Sequence, residues 1–206
     1  MDRLLEKYKL LVAKGDAAFG TTAQEYGSCI KCKSGCSDCC HAIFGLFLIE
    51  AAHIQKQFNR LDRRVRREAL LRADKADIEL QMVEERLQVY EDDPHMKSYA
   101  LAKERVRCPL LDRSDQCILY PHRPLTCRVY GIPTAIQGKA RVCGKAAFKR
   151  GESYPTFDLD ACYQELYQLS KDLLLVSGES NMEKASLLIS VSKALKTPIE
   201  DVIGNQ

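Results

Sequence analysis

The chain has 206 residues, 46% hydrophobic and 29% charged, with a net charge of +3 and no tryptophan. That length can bury a substantial core, and so small a charge does not by itself point to a polyanionic partner. With aromatics at 7%, the core has to be built from Leu, Ile, Val and Ala. The opening Met-Asp-Arg-Leu-Leu-Glu-Lys-Tyr-Lys is charged throughout and lacks the apolar stretch of a secretory signal. The most apolar window, 42–54, contains Glu50 and His53 and falls short of a membrane span. A cytoplasmic location is therefore expected. Thiols are kept reduced there, so ten cysteines read as metal ligands ahead of disulfides.

In chain order, Leu4, Leu5, Tyr8, Leu11 and Val12 recur at helical spacing and predict a helix over 2–14 ending near Gly15. Asp16 is placed to cap a short second helix before Gly27. The densest chemistry follows at 29–40, where Cys29, Cys32, Cys36, Cys39 and Cys40 form a C-x2-C-x3-C-x2-C-C run. Thiolates crowded this closely repel one another unless a cation neutralises them or oxidation joins them. Ser34 and Gly35 are poor helix formers, so the first half is expected to be a loop. Cys36 to Cys40 is expected to open a helix that runs on into Phe44. Adjacent side chains diverge on helix or strand, which predicts that Cys39 and Cys40 serve different sites or that one is a packed thiol.

Residues 47–61 predict a helix with Leu48, Ala51, Ala52 and Phe58 on its apolar face. From 62 to 91 the pattern is long, charged and helical, with Leu70, Leu71, Ile78, Met82, Leu87 and Val89 as the expected buried residues. Arg60, Arg63, Arg64, Arg66, Arg67 and Arg72 form a basic run, but Glu68, Asp74, Asp77, Glu79, Glu84 and Glu85 follow closely. Alternating charge of this kind reads as a solvated helix face rather than a nucleic-acid surface.

Asp92-Asp93-Pro94 ends that helix. Cys108-Pro-Leu-Leu and Cys117-Ile-Leu-Tyr, either side of a polar turn, predict a small β-hairpin with a cysteine on each arm. Pro124 is placed to start a short helix carrying Cys127 and Arg128. Residues 131–156 read as loop. Asp158 or Asp160 caps a helix through Leu166, Leu169, Leu173 and Leu174. Ser180-x-x-Glu183 predicts a helix over 181–195, and Thr197-Pro198-x-Glu200 a final turn. The expected plan is a mainly α single domain over 1–206. Helices at 1–27 and 157–206 flank an irregular cysteine-rich, metal-binding core at 29–145 that contains the small hairpin.

The combination Cys32-x3-Cys36-x2-Cys39-Cys40, Cys108-Pro-Leu-Leu, Cys117-Ile-Leu-Tyr, Arg123-Pro-Leu-Thr-Cys127-Arg128 and Cys143 resembles one known family. This is the CxxCxxCC cysteine-cluster family of zinc- or iron-chelating domains, which includes YkgJ-type proteins and the flagellin lysine N-methylases. The resemblance covers about 29–145 and implies a bound metal centre. Cys29 and Cys162 lie outside its core pattern. The eight motif cysteines Cys32, Cys36, Cys39, Cys40, Cys108, Cys117, Cys127 and Cys143 would suffice for two four-cysteine sites, either [4Fe–4S] clusters or structural zincs.

Zinc knuckles take ligands in close C-x2-4-C pairs, whereas Cys108, Cys117, Cys127 and Cys143 come singly. All-sulfur ligation with several donors from one tight segment favours iron–sulfur over zinc. Arg123 and Arg128 flank Cys127 and are candidates to offset cluster charge; ordinary surface ion pairs are the competing reading. His41 and His122 read as polar loop residues rather than ligands.

Three functions are compatible with these residues. One is an iron–sulfur protein in electron transfer, sensing or support of an enzymatic reaction, with a redox or other protein partner and no membrane. The others are a zinc-stabilised interaction module and an S-adenosylmethionine-dependent protein-lysine methyltransferase. The last rests on the family alone.

Overall fold

A computed structural model describes residues 1–33 and 35–204. The first apolar repeat belongs to one unbroken helix, α1 (Asp2–Tyr26), which runs straight through the expected stop at Gly15. Gly15 has a different purpose. A Cβ there would lie 2.7 Å from a Leu125 methyl and 3.2 Å from a Val129 methyl, so the glycine lets a later helix cross α1 at close range. Asp16 accordingly caps nothing and sits mid-helix.

At the centre of the core lies α2 (Leu48–Phe58), whose Leu48, Ile49, Ala51, Ala52, Ile54 and Phe58 are all buried. It packs against α1, α6 (Leu159–Val176), α7 (Val191–Lys196) and α8 (Ile199–Gly204). A helix start leaves backbone N–H groups without intrahelical partners. Here the Ile49 N–H donates to the buried Ser170 hydroxyl on α6 at 3.3 Å, and the Phe47 N–H donates to Glu50 Oε2 at 3.2 Å. The other Glu50 oxygen accepts the Leu125 N–H at 3.0 Å, at the start of α5 (Leu125–Val129). One carboxylate thus closes two helix starts.

The long charged helix is α3 (Arg63–Leu87), with Asp62 accepting the Arg64 N–H as its cap. It buries Ala69, Ala73, Ala76, Val83 and Leu87, whereas Leu71, Ile78, Met82 and Val89 are exposed and Leu70 is half-buried. The expected face is therefore wrong except at Leu87. Small alanines let α3 lie close against α7, and that closeness outweighs the larger side chains on the other face. Lys196 of α7 pairs with Asp74 at 2.6 Å and Asp77 at 3.0 Å across the same contact. Beyond Asp92 an unforeseen helix forms, α4 (Pro94–Leu101), because Asp93 accepts the His95 and Met96 N–H groups and Pro94 suits a first turn.

The β-structure also differs from expectation. Between 108 and 120 only a single bridge forms, Leu111 with Cys117, around a turn held by Asp112, whose carboxylate accepts the Ser114 and Gln116 N–H groups. The stretch read as loop contains a small sheet instead. There β1 (Thr134–Ile136) pairs antiparallel with β2 (Lys139–Arg141) and parallel with β3 (Phe157–Asp158). Strands this short carry too few residues to display an alternating pattern.

Asp158 caps α6 as expected, accepting the Ala161 N–H. The helix expected over 181–195 is broken. Asn181, not Ser180, caps a 3₁₀ turn at Met182–Ser186, and Ser190 then starts α7. Between them the chain is held extended, because Leu46 and Ile189 exchange backbone hydrogen bonds of 2.8 and 3.0 Å. Among the described residues, no helix is long and apolar enough to cross a membrane.

Burial lifts the Glu50 pKa from the ordinary 4.5 to about 7, with the two N–H donors pulling the other way. Between those values the folded chain holds a proton that the unfolded chain releases, so this contribution to stability is full at low pH and fades as pH rises through 7. Comparison with Glu50→Gln isolates it. In urea titrations, the stability of the parent relative to the variant should fall by about 3 kcal/mol between about pH 4 and about pH 8.

Candidate metal centre

After α1 the chain turns at Gly27, with the Cys29 N–H bonded to the Tyr26 carbonyl at 2.8 Å. The expected helix from Cys36 to Phe44 is not formed. A single 3₁₀ turn, Asp38–Cys40, replaces it, and the chain then runs extended beside 105–108. The Cys108 N–H donates to the Cys40 carbonyl at 2.7 Å and the Val106 N–H to the His41 carbonyl at 3.1 Å. This pairing ends the helix and brings the first cysteine segment against the second. Arg72 of α3 fixes the neighbouring loop by donating to the Pro109 carbonyl at 2.8 Å.

Two neighbouring groups of thiols result. In the inner one, the Cys39 sulfur is in hydrogen-bonding contact with the thiols of both Cys127 and Cys40. Cys39 and Cys40 thus line one cavity together. Those contacts, Cys127 first, hold the Cys39 pKa far below the usual thiol range and drive Cys40 and Cys127 up in compensation. Burial lifts Cys108 to about 12 and raises Cys117, both within electrostatic range of Cys39. These five residues share a cavity of about 20 Å³ with Phe44, Leu46, Ile54 and Val191. The space is small, Arg123 completes its wall, and Cys39, Cys40 and Cys117 also border a second cavity of about 270 Å³ together with Cys36.

The outer group consists of Cys32, Cys36 and Cys143. Partial burial lifts Cys32 to about 11, and the charges of Cys36, Cys143 and Cys39 add to that. The Cys143 thiol donates to Asp38 Oδ2 at 3.3 Å and accepts the Lys145 N–H at 3.4 Å. Gly131 underlies this arrangement, since a Cβ there would clash with the Cys32 sulfur. Neither Asp38 nor Gly131 was singled out from the sequence; Asp38 sits inside the first cysteine run, and Gly131 lies just beyond the Cys127-Arg128 motif.

The flanking arginines have different surroundings. Arg123 stacks on Tyr120 with its guanidinium 3.8 Å from the ring centre, and its charge favours the thiolate forms of Cys39 and Cys117. Arg128 is mostly buried. It pairs with both Asp16 oxygens at 3.0 and 2.7 Å and donates to the Arg123 and Pro121 carbonyls, so it clamps α5 onto α1. His41 has its Nδ1 at 2.9 Å from the Ser37 carbonyl, and His122 lies edge-on to His53. Cys162 is buried on α6, with Glu165 and Lys14 as its charged neighbours. Cys29 is tied through its carbonyl to the Ala147 N–H at 2.8 Å.

All ten cysteines are free thiols. As they stand, no three Cys, His, Asp or Glu side chains among the described residues are disposed to hold a metal ion. Soft sulfur donors gathered around one small cavity nevertheless suit zinc or iron by their chemistry.

The model of the CxxCxxCC family, described as a "putative zinc- or iron-chelating domain", matches residues 31–144. The chain belongs to the CxxCxxCC family. Both thiol groups fall inside the matched region, and Cys29 and Cys162 fall outside it. The chain departs from the family's signature by one residue, with three positions between Cys32 and Cys36 where the signature has two. No curated protein and no solved structure matches the chain.

The contact at Gly131 gives a direct test of the outer group. Gly131→Ala should push Cys32 outward and speed its alkylation several-fold, read by mass spectrometry of iodoacetamide-treated protein. Gly20→Ala, at a position with nothing within 4 Å, should leave that rate unchanged.

Proposed function

We propose that this CxxCxxCC protein holds a resident metal centre on cysteine thiolates, and that an iron–sulfur cluster is the occupant its donors suit best. One observation carries the reading. Five cysteines from three separated segments, Cys39 and Cys40, Cys108 and Cys117, and Cys127, meet at one cavity. In a reducing compartment a chain has little other use for so many free thiols gathered in one place.

At the inner cavity the donor set is sulfur only, since no histidine or carboxylate lines it. Cys40, Cys108, Cys117 and Cys127 would hold the inner centre, with Cys39 between it and the outer group of Cys32, Cys36 and Cys143. Arg123 would temper the negative charge that the thiolates bring. Bound there, a cluster would supply one-electron chemistry, which suits electron transfer or sensing with a redox partner.

A second reading has its own support. The inner cavity of about 20 Å³ has room for about one water molecule, which suits a single zinc ion better than a cubane. Zinc would make the region a stabilised interaction module. Structural zinc binding contributes about 10–16 kcal/mol in small zinc peptides, as much as a whole domain's stability.

Oxygen-free purification followed by iron, sulfide and zinc analysis and a visible spectrum separates the two. Brown protein with matched iron and sulfide is expected; colourless protein with stoichiometric zinc would establish the second reading instead. Protein containing neither would refute both. Cys127→Ser should lose the metal and most of the soluble yield, whereas Cys162→Ser should keep both.

A further inference from the structure

A cavity of about 410 Å³ lies beside the outer thiol group, between the 42–44 segment, the end of α4, α5, the small sheet and the start of α6. Its volume is in the range that encloses a small organic ligand. Phe44, Val129, Ile136 and Leu159 supply an apolar interior, and Cys143 forms part of one wall. Hydroxyls are present as well: Thr126 Oγ1 and the Tyr163 hydroxyl lie 3.3 Å apart on its lining.

The charge of the lining is one-sided. Arg105 and Arg141 both border the cavity, and no aspartate or glutamate does. Among the described residues neither guanidinium is in an ion pair. Arg105 is anchored by donating from Nη1 to the Ala102 and Glu104 carbonyls at 3.1 and 3.0 Å. Asp38 is within charge range of Arg105 but is itself engaged by Cys143, Tyr130 and Lys145. Arginine presents a planar fork matched to carboxylate and phosphate, and two of them over an apolar hollow define a ligand with an anionic head and an apolar body.

We propose that this cavity binds a small organic oxyanion, a carboxylate or phosphate monoester with an apolar body, its head between Arg105 and Arg141 and its body on Phe44 and Ile136. The inference goes beyond the metal reading and stands without it, because both arginines lie outside the thiol groups. If that reading also holds, the ligand would rest against a residue of the metal centre, which is how a substrate or signal would reach it.

Isothermal titration of the 206-residue chain, purified without oxygen, with benzoate, phenyl phosphate and neutral benzamide tests the proposal. At least one of the two anions should bind, with benzamide weaker by about tenfold or more. Tighter phenyl phosphate would identify a phosphate ester, and tighter benzoate a carboxylate. Arg141→Gln and Arg105→Gln change exposed side chains, so both variants should fold, keep the parent's metal content and lose about tenfold in anion affinity.

Binding of benzamide as tight as that of the anions would overturn the proposal. So would undiminished anion binding in the double variant, or no binding of either anion at millimolar concentration. Anion binding that disappears with metal removal but ignores both arginine variants would also overturn it, and would place the anion on the metal. Loss of metal analysis signal in the parent would count against the metal reading and leave this titration valid.

Discussion

The carboxylate of Glu50 lies where no solvent reaches, and it receives backbone N–H groups from the starts of two helices, α2 and α5. Helix starts carry partial positive charge, so an acid is the side chain best suited to join them. Its burial is costly unless both oxygens are satisfied, and here both are. The arrangement matters because α5 is only five residues long and could not persist alone. Glu50 fixes its beginning, Arg128 fixes its flank through Asp16 and two carbonyls, and Gly15 lets it lie close to α1. Cys127 owes its position to all three, and through Cys127 so does the inner thiol group.

The two thiol groups experience different surroundings. The inner one is enclosed by apolar side chains, so its sulfurs interact mainly with one another and with Arg123. The outer one has a carboxylate, an amide and a lysine in reach through Asp38 and Lys145. Cys39 is in electrostatic range of both, in contact with Cys127 on one side and felt by Cys32 on the other. Adjacent cysteines in a 3₁₀ turn therefore do something that helix or strand geometry did not predict: they remain together while one of them also faces a second group.

Legibility from sequence was uneven, for physical reasons. The cysteine motifs carried the family and delimited the region, and the cap at Asp158 was readable because capping is a local event. Gly15 was misread as a stop because its role depends on Leu125 and Val129, far away in the chain. The buried face of α3 was misassigned because alanines win by allowing close approach, which a count of large apolar residues ranks last. The helices expected after Cys36 and Glu183 failed for one shared reason. In each place a distant segment, at Arg105–Cys108 or at Leu46, offered the backbone a strand-like partner. The pairing of Arg105 with Arg141 over one cavity was likewise invisible until the small sheet turned β2 toward α4.

The join between the Cys40 carbonyl and the Cys108 amide has a kinetic side. Everything from His41 to Arg107, the three helices α2, α3 and α4 and their connections among it, is a loop that this join closes. Closing so long a loop is entropically costly until the helices inside it have shortened the path. During synthesis the first cluster of thiols therefore leaves the ribosome well before its counterparts and waits, solvent-exposed and unpaired, for α2 and α3 to form. Assembly of the sulfur groups is placed late by the topology itself, and the interval before it is when these thiols are most open to oxidation or to capture by a metal-delivery system.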